Sequence, residues 1–308
     1  MNDDRPIDPV HLLAAWPSSG PADPPRHAAR RAVALALEED LGPLGDLTAM
    51  LVPADAPGRA RVVSRQEGVL AGRLCAEEAF SQVDPGLTVR WEVGDGAALE
   101  RGTVAAEVHG HLRSILTAER TALNFLCHLS GVATAARRFV DAVARANPAT
   151  RVLDTRKTTP GLRALEKAAV RAGGAWNHRG SLSDAVLVKD NHLGRLGVAE
   201  AVKLARRWWP GRLVEVECDR PGQVAEAVDA GASAVLLDNM TPAEVANCVA
   251  LVREHTAESP GTVLVEVSGG VTLDTVADYA AAGADLVSVG AITHSAPVVD
   301  LGLDLMEG

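Results

Sequence analysis

Residues 229–239 read DAGASAVLLDN, and residues 281–291 read AAGADLVSVGA. Each phrase passes from a helix end through a glycine turn into a short apolar strand. Similar runs recur as RVLDTRK from Arg151, AVLVKDN from Ala185, LVEVECD from Leu213, AVLLDNM from Ala234, VLVEVSGG from Val263 and LVSVGA from Leu286. Between them lie amphipathic segments such as AEVANCVALVREH and LDTVADYAAAG. Thr241-Pro242-Ala243-Glu244 joins a capping box to proline at the first helical position, so a helix starts there. Strands alternating with helices imply βα units and a parallel sheet.

The ends of these runs are chemically loaded. They carry Asp154, Arg156 and Lys157; Lys189 and Asp190; Glu215 and Glu217; Asp238 and Asn239; Ser268, Gly269 and Gly270; and Gly290. A (β/α) barrel builds its active site at the C-terminal ends of its strands, whereas a doubly wound sheet places ligands at its switch point. Six loaded ends favour a closed barrel over the open sheet.

Upstream the pattern changes. Residues 1–24 are rich in Pro and Asp, lack periodicity and read as a loose tail. PPRHAARRAVALALEEDLG has helical spacing and ends at Gly42, a fitting C-terminal cap. RARVVSRQEGVLAG from Arg59, LTVRWEVGDG from Leu87 and TVAAEVHG from Thr103 alternate between glycine turns and predict a small antiparallel sheet. The stretch from Ser114 to Asn147 is helical throughout, and Ser130-Gly131 suggests two helices meeting there.

Composition narrows the function. Of 308 residues, 47% are apolar and only 3% aromatic, so the core must be Ala, Val and Leu. The net charge of -10 argues against a nucleic-acid binder, which needs a basic footprint. No apolar run approaches a membrane span, and the acidic N-terminus has no signal-peptide h-region, so a cytoplasmic protein is expected. Cys75, Cys127, Cys218 and Cys248 stand far apart without zinc spacing and read as small hydrophobes in a reducing compartment.

Against that acidic background, Arg156, Lys157, His178, Arg179 and Lys189 concentrate positive charge, which is costly unless an anion occupies it. A planar guanidinium suits a carboxylate and a compact ammonium suits a phosphate. The glycine ends SGG and VGA offer bare N–H groups to a phosphate, although glycine there is also ordinary turn chemistry. Glu217 and Asp238 end neighbouring strands, where they could share magnesium with a pyrophosphate or simply pair with lysines. A lone histidine such as His178 is more often structural, but its place beside Arg179 favours anion binding.

These motifs resemble the decarboxylating nicotinate-nucleotide pyrophosphorylases, the quinolinate phosphoribosyltransferase family. The matching text is EDLGPLGDLT from Glu39, ERTALNFLCHLSGVAT from Glu119 and DTRKTTPGLRALEKAAVRAGGAWNHRGSLSDAVLVKDNH from Asp154. VEVE, LLDNM, EVSGG and VGAITHS complete it. The resemblance implies an N-terminal α/β sandwich over 25–130 and an incomplete α/β barrel over 131–308, with the last residues free to pack back on the first domain. It also implies a homodimer in which Arg120 reaches the neighbouring subunit's substrate.

On the same basis Arg156, His178 and Arg179 would hold the quinolinate carboxylates. Lys157 and Lys189 would face phosphoribosyl pyrophosphate, and Glu217 and Asp238 its ribose and Mg2+. Thr158 also belongs to the implied substrate site. Ser268, Gly269, Gly270, Gly290 and the adjoining Ala291 would hold the 5′-phosphate end. The implied reaction yields nicotinate mononucleotide, pyrophosphate and carbon dioxide, a step of de novo NAD biosynthesis. Ala168 stands where the family usually has Tyr, Ala175 stands where it has a third glycine, and the Gly180-Ser181 step is irregular.

Three rivals remain. A transferase of the same fold could use another acid, and Lys189 could form an aldolase Schiff base. VGDGAALERGTVAAEVHG looks like a biotinyl or lipoyl hairpin, but that region contains no lysine to carry the group.

Overall fold

The computed structural model describes residues 23–194, 196–257 and 262–306. The tail expected over 1–24 lies, except for its last two residues, outside these. By compactness the chain forms two units. Among the described residues, one comprises Arg138–Arg156 and Ala175–Ala291; the other comprises 23–137, Lys157–Gly174 and 292–306.

The second unit is an α/β sandwich built on an antiparallel sheet. Its strands are β1 (Pro57–Ser64), β3 (Thr88–Trp91), β5 (Val104–His111) and β12 (Leu301–Leu305), in the order β12-β1-β5-β3. The short β2 (Gly68–Val69) and β4 (Ala98–Leu99) pair separately. Alternation along β1 and β5 buries Ala60, Val62, Ala106 and Val108. Helices Arg26–Leu41 and Arg73–Val83 accompany the sheet, and the first ends at Gly42 with φ 52 as its sequence predicts.

The expected break at Ser130-Gly131 is absent: Leu112–Ala146 is one helix of 35 residues. Gly131 serves close packing instead. A Cβ there would lie 2.2 Å from the Pro297 carbonyl oxygen, so only glycine lets that backbone pass against the helix.

The first unit holds a six-stranded parallel sheet. Its strands are β6 (Arg151–Leu153), β7 (Val186–Val188), β8 (Val214–Cys218), β9 (Ala234–Asp238), β10 (Leu264–Ser268) and β11 (Leu286–Ser288). Their order is β6-β11-β10-β9-β8-β7. Chain order is thus kept around the sheet, and β6 returns beside β11 as it would in a barrel. The closed barrel is corrected to an incomplete one, because β6 and β7 do not pair. Six strands are fewer than the eight of a filled, closed (β/α) barrel. At the β6 edge, Trp176 bridges to Leu153 instead. The predicted capping box holds: the Thr241 hydroxyl accepts the Glu244 N–H, and the Glu244 carboxylate accepts the Thr241 N–H.

Period-two alternation divides the inner face into layers. Leu153, Ala234, Leu264 and Leu286 form a buried apolar floor with Trp176 and Leu213 packed against it. Burial of each such leucine contributes about 2 kcal/mol. Two residues further along each strand come Glu215, Leu236, Glu266 and Ser288. Two further still come Glu217, Asp238, Ser268 and Gly290. All four cysteines are free thiols. No helix among the described residues is long and apolar enough to cross a membrane.

Candidate active site

The outermost layer brings the expected strand-end residues to one end of the parallel sheet. Lys189 follows β7 directly, and its ammonium pairs with Glu217 near the end of β8. Asp238 ends β9 and accepts a hydrogen bond of 2.8 Å from the Asn239 side chain. Asn239 has φ 55, the one positive value among described non-glycine residues. Its N–H donates to the Ser268 carbonyl at 3.0 Å, tying the end of β9 to that of β10.

Beyond Ser268 the chain turns through Gly269 (φ 92) and Gly270 (φ 60). A Cβ on Gly269 would sit 2.3 Å from Asn239 Oδ1, so the turn excludes any larger residue. Consecutive left-handed residues expose backbone N–H groups and suit an anion. Gly290 and Ala291 follow β11.

The turn at 177–184 carries His178 and Arg179. Asp154, fully buried after β6, accepts from the Asn177 side chain and the His178 N–H, both at 2.8 Å. Arg179 is buried and donates to the Ala185 carbonyl at 3.2 Å. Burial, followed by the positive charge of Arg156, lowers the Arg179 pKa from its ordinary value. Two guanidiniums that disfavour one another make a place for an anion. The irregular Gly180-Ser181 step has a local cause, because the Asp184 carboxylate accepts both backbone N–H groups. Ala168 and Ala175 are both buried.

His178 departs from its simple anion-binding role. Its Nδ1 accepts the Arg179 N–H at 2.8 Å, and its Nε2 faces Glu215 at 3.1 Å and Glu266 at 3.5 Å. The imidazole is therefore the neutral Nε2–H tautomer, with both nitrogens engaged by the protein. Glu215 Oε1 and Glu266 Oε2 meet no donor, while Ser288 donates to the other oxygen of Glu266. Burial, reinforced by the charge of Glu215, pushes Glu266 up to about 8. Burial likewise pushes Glu215 up to about 7. Two carboxyls so placed share a proton.

The same three residues bring ligand atoms within 4.8 Å of one another, as a metal site would. A metal on Nε2 would leave no proton on a ring whose Nδ1 already accepts an N–H. The geometry thus supports a proton-sharing cluster. Sequence reading noted Glu215 at a strand end and passed over Glu266 and Ser288. Their position two residues before each rim residue was the available signal.

Arg120, Lys157 and Thr158 belong to the other compact unit. Arg120 is exposed on helix Leu112–Ala146. Lys157 is exposed and Thr158 half-buried on the loop before helix Arg163–Ala172. The Thr293 hydroxyl donates to the Lys157 carbonyl at 2.8 Å, and Arg163 donates to the Thr158 hydroxyl at 3.0 Å.

Comparison with known proteins resolves what this rim belongs to. Residues 46–130 match the quinolinate phosphoribosyl transferase N-terminal domain, and residues 132–304 match its C-terminal domain. The chain belongs to the quinolinate phosphoribosyltransferase family. A relative in this family, the nicotinate-nucleotide pyrophosphorylase [carboxylating] of Mycobacterium leprae, is 43% identical over 284 residues. That alignment covers 90% of this chain and 97% of the relative. A probable nicotinate-nucleotide pyrophosphorylase [carboxylating] of Bacillus subtilis is 38% identical over 270 residues, covering 87% and 90%. The solved nicotinate-nucleotide pyrophosphorylase of Francisella tularensis superposes with a TM-score of 0.87 at 36% identity, over 94% of this chain and 100% of that one.

Proposed function

We infer that this quinolinate phosphoribosyltransferase joins quinolinate to phosphoribosyl pyrophosphate, giving nicotinate mononucleotide, pyrophosphate and carbon dioxide. The observation that carries this reading is the rim itself, which offers cations, carboxylates and a left-handed glycine turn within a chain matching both family domains. Arg156 and Arg179 hold the quinolinate carboxylates, with His178 setting the backbone of the turn. Ser268, Gly269, Gly270, Gly290 and Ala291 receive the 5′-phosphate. Lys157, Thr158 and Lys189 take the pyrophosphate.

The C1–oxygen bond to pyrophosphate breaks as the quinolinate nitrogen bonds to C1. Charge leaving with pyrophosphate is taken up by the lysines. The positive charge developing on the ribose is met by Glu217 and Asp238. The new pyridinium is an electron sink: the bond to the 2-carboxylate breaks, carbon dioxide departs and a proton replaces it on C2. No covalent nucleophile is required, and orientation and electrostatics carry the rate.

Magnesium fits the donor set. Glu217 and Asp238 offer hard carboxylate oxygens on adjacent strands and would hold the ion there, Glu217 more weakly because Lys189 partly neutralises it. When bound, the ion would neutralise pyrophosphate charge. The working unit is a cytoplasmic homodimer in which Arg120 serves the neighbouring active site. If so, mixing inactive Arg120→Ala and Lys189→Ala subunits restores about a quarter of wild-type activity, because half the dimers hold one intact site. Failure to complement contradicts shared sites. Consumption of quinolinate, and not nicotinate, separates this reading from a transferase using another acid.

A further inference from the structure

We propose that Glu166, acting with His128 and Thr293, positions the loop that carries Lys157 and Thr158 for phosphoribosyl pyrophosphate. The inference rests on the reading above that Lys157 faces that substrate, and it adds residues to which the reaction gives no direct role.

Glu166 lies on helix Arg163–Ala172 and is 0% exposed. A buried carboxylate is costly unless its oxygens are satisfied, and an apolar residue at this position would avoid the cost. Both oxygens are used. Oε1 accepts from His128 Nε2 at 2.8 Å, and Oε2 accepts the Thr159 N–H at 3.1 Å. The second contact matters most, because Thr159 lies between β6 and the helix, where no ladder or helical carbonyl takes its N–H.

The neighbouring tethers make a pattern. Thr293, 2% exposed, fixes the Lys157 carbonyl, Arg163 fixes the Thr158 hydroxyl and Glu166 fixes the Thr159 N–H. Three consecutive loop residues are each held by a side chain from a helix, and the Lys157 side chain itself remains exposed. Fixing the loop backbone limits where the Lys157 side chain starts from before substrate arrives. His128 anchors the carboxylate to the long helix Leu112–Ala146, so the tether does not swing with the short helix alone.

Steady-state kinetics with both substrates and magnesium test this. Glu166→Ala raises KM for phosphoribosyl pyrophosphate, or lowers kcat, by about ten- to a hundredfold, since small misplacement of a binding group has that scale. KM for quinolinate stays within about threefold. Glu166→Gln still accepts the Thr159 N–H and can donate to the other His128 tautomer, so it recovers to within about threefold of wild type. If Glu166→Ala melts below the assay temperature, Thr293→Val, which removes the Lys157 tether and leaves Glu166 in place, decides by the same split. Unchanged kinetics in a folded variant, or equal rises in both KM values, overturn the proposal. An inactive wild-type protein would instead sink the functional reading.

Discussion

The two sheets treat a buried carboxylate in opposite ways. In the antiparallel sheet, register places Glu107 of β5 directly opposite Arg61 of β1 and Arg90 of β3. Arg61 donates to it at 2.9 Å and Arg90 at 3.1 Å. Those hydrogen bonds, Arg61 first, hold Glu107 down to about 2. In the parallel sheet, Glu215 and Glu266 meet a neutral imidazole and each other, and burial drives both upward. An antiparallel sheet with one wet face lets long cations lie along the surface to reach a carboxylate. The inside of a nearly closed parallel sheet has no such route, so its acids keep a proton. Lys189, at its rim, is the cation for which contact with the reactants is proposed.

If that contrast is right, rim cations govern activity and sheet-face cations do not. Lys189→Ala lowers kcat/KM at least about a hundredfold, by analogy with losing one transition-state donor at 2–4 kcal/mol. Wild-type-like turnover would break the assignment. The middle layer governs stability. Glu266→Ala leaves the buried Ser288 hydroxyl without its acceptor and opens a cavity beside Glu215 and His178, and costs about 2–4 kcal/mol in denaturant unfolding. Glu266→Gln, which mimics the protonated acid, costs about 1 kcal/mol. Equal losses for the two would show that the proton is not retained.

Dependence on pH sharpens the comparison. Glu215 and Glu266 bind protons more tightly folded than unfolded. Their contribution to stability is therefore full below the ordinary carboxyl value of 4.5 and drains away as pH rises through about 7 and about 8. Glu107 has the reverse sign: its contribution is present above 4.5 and lost as pH falls toward about 2. Unfolding midpoints between about pH 5.5 and about pH 8.5 should fall in wild type, fall less in Glu266→Gln and keep the wild-type slope in Glu107→Gln. The smallest effect belongs to Arg61→Ala. Arg90 remains on Glu107, so Tm shifts by no more than about 2 °C and activity stays within about twofold.

Legibility followed the same division. The rim was readable because Lys189, Asp238 and Ser268-Gly269-Gly270 each break an apolar run abruptly. The middle layer was not, because VEVE and EVS look like the polar face of a half-exposed strand. Alternation does not say whether a face is wet. Gly131 was misleading for a related reason: glycine in a helical pattern marks a break or a close approach, and only Pro297 distinguishes the two. Glu166 has no sequence signal of its own, and only its burial singles it out. Arg120 had no local signal at all and entered only through resemblance.

The most direct test is to incubate the purified chain with magnesium, phosphoribosyl pyrophosphate and carboxyl-labelled quinolinate. The account predicts nicotinate mononucleotide and labelled carbon dioxide in equal amounts, with nicotinate inert in place of quinolinate. Turnover of nicotinate, or no carbon dioxide release from a folded protein, would contradict it.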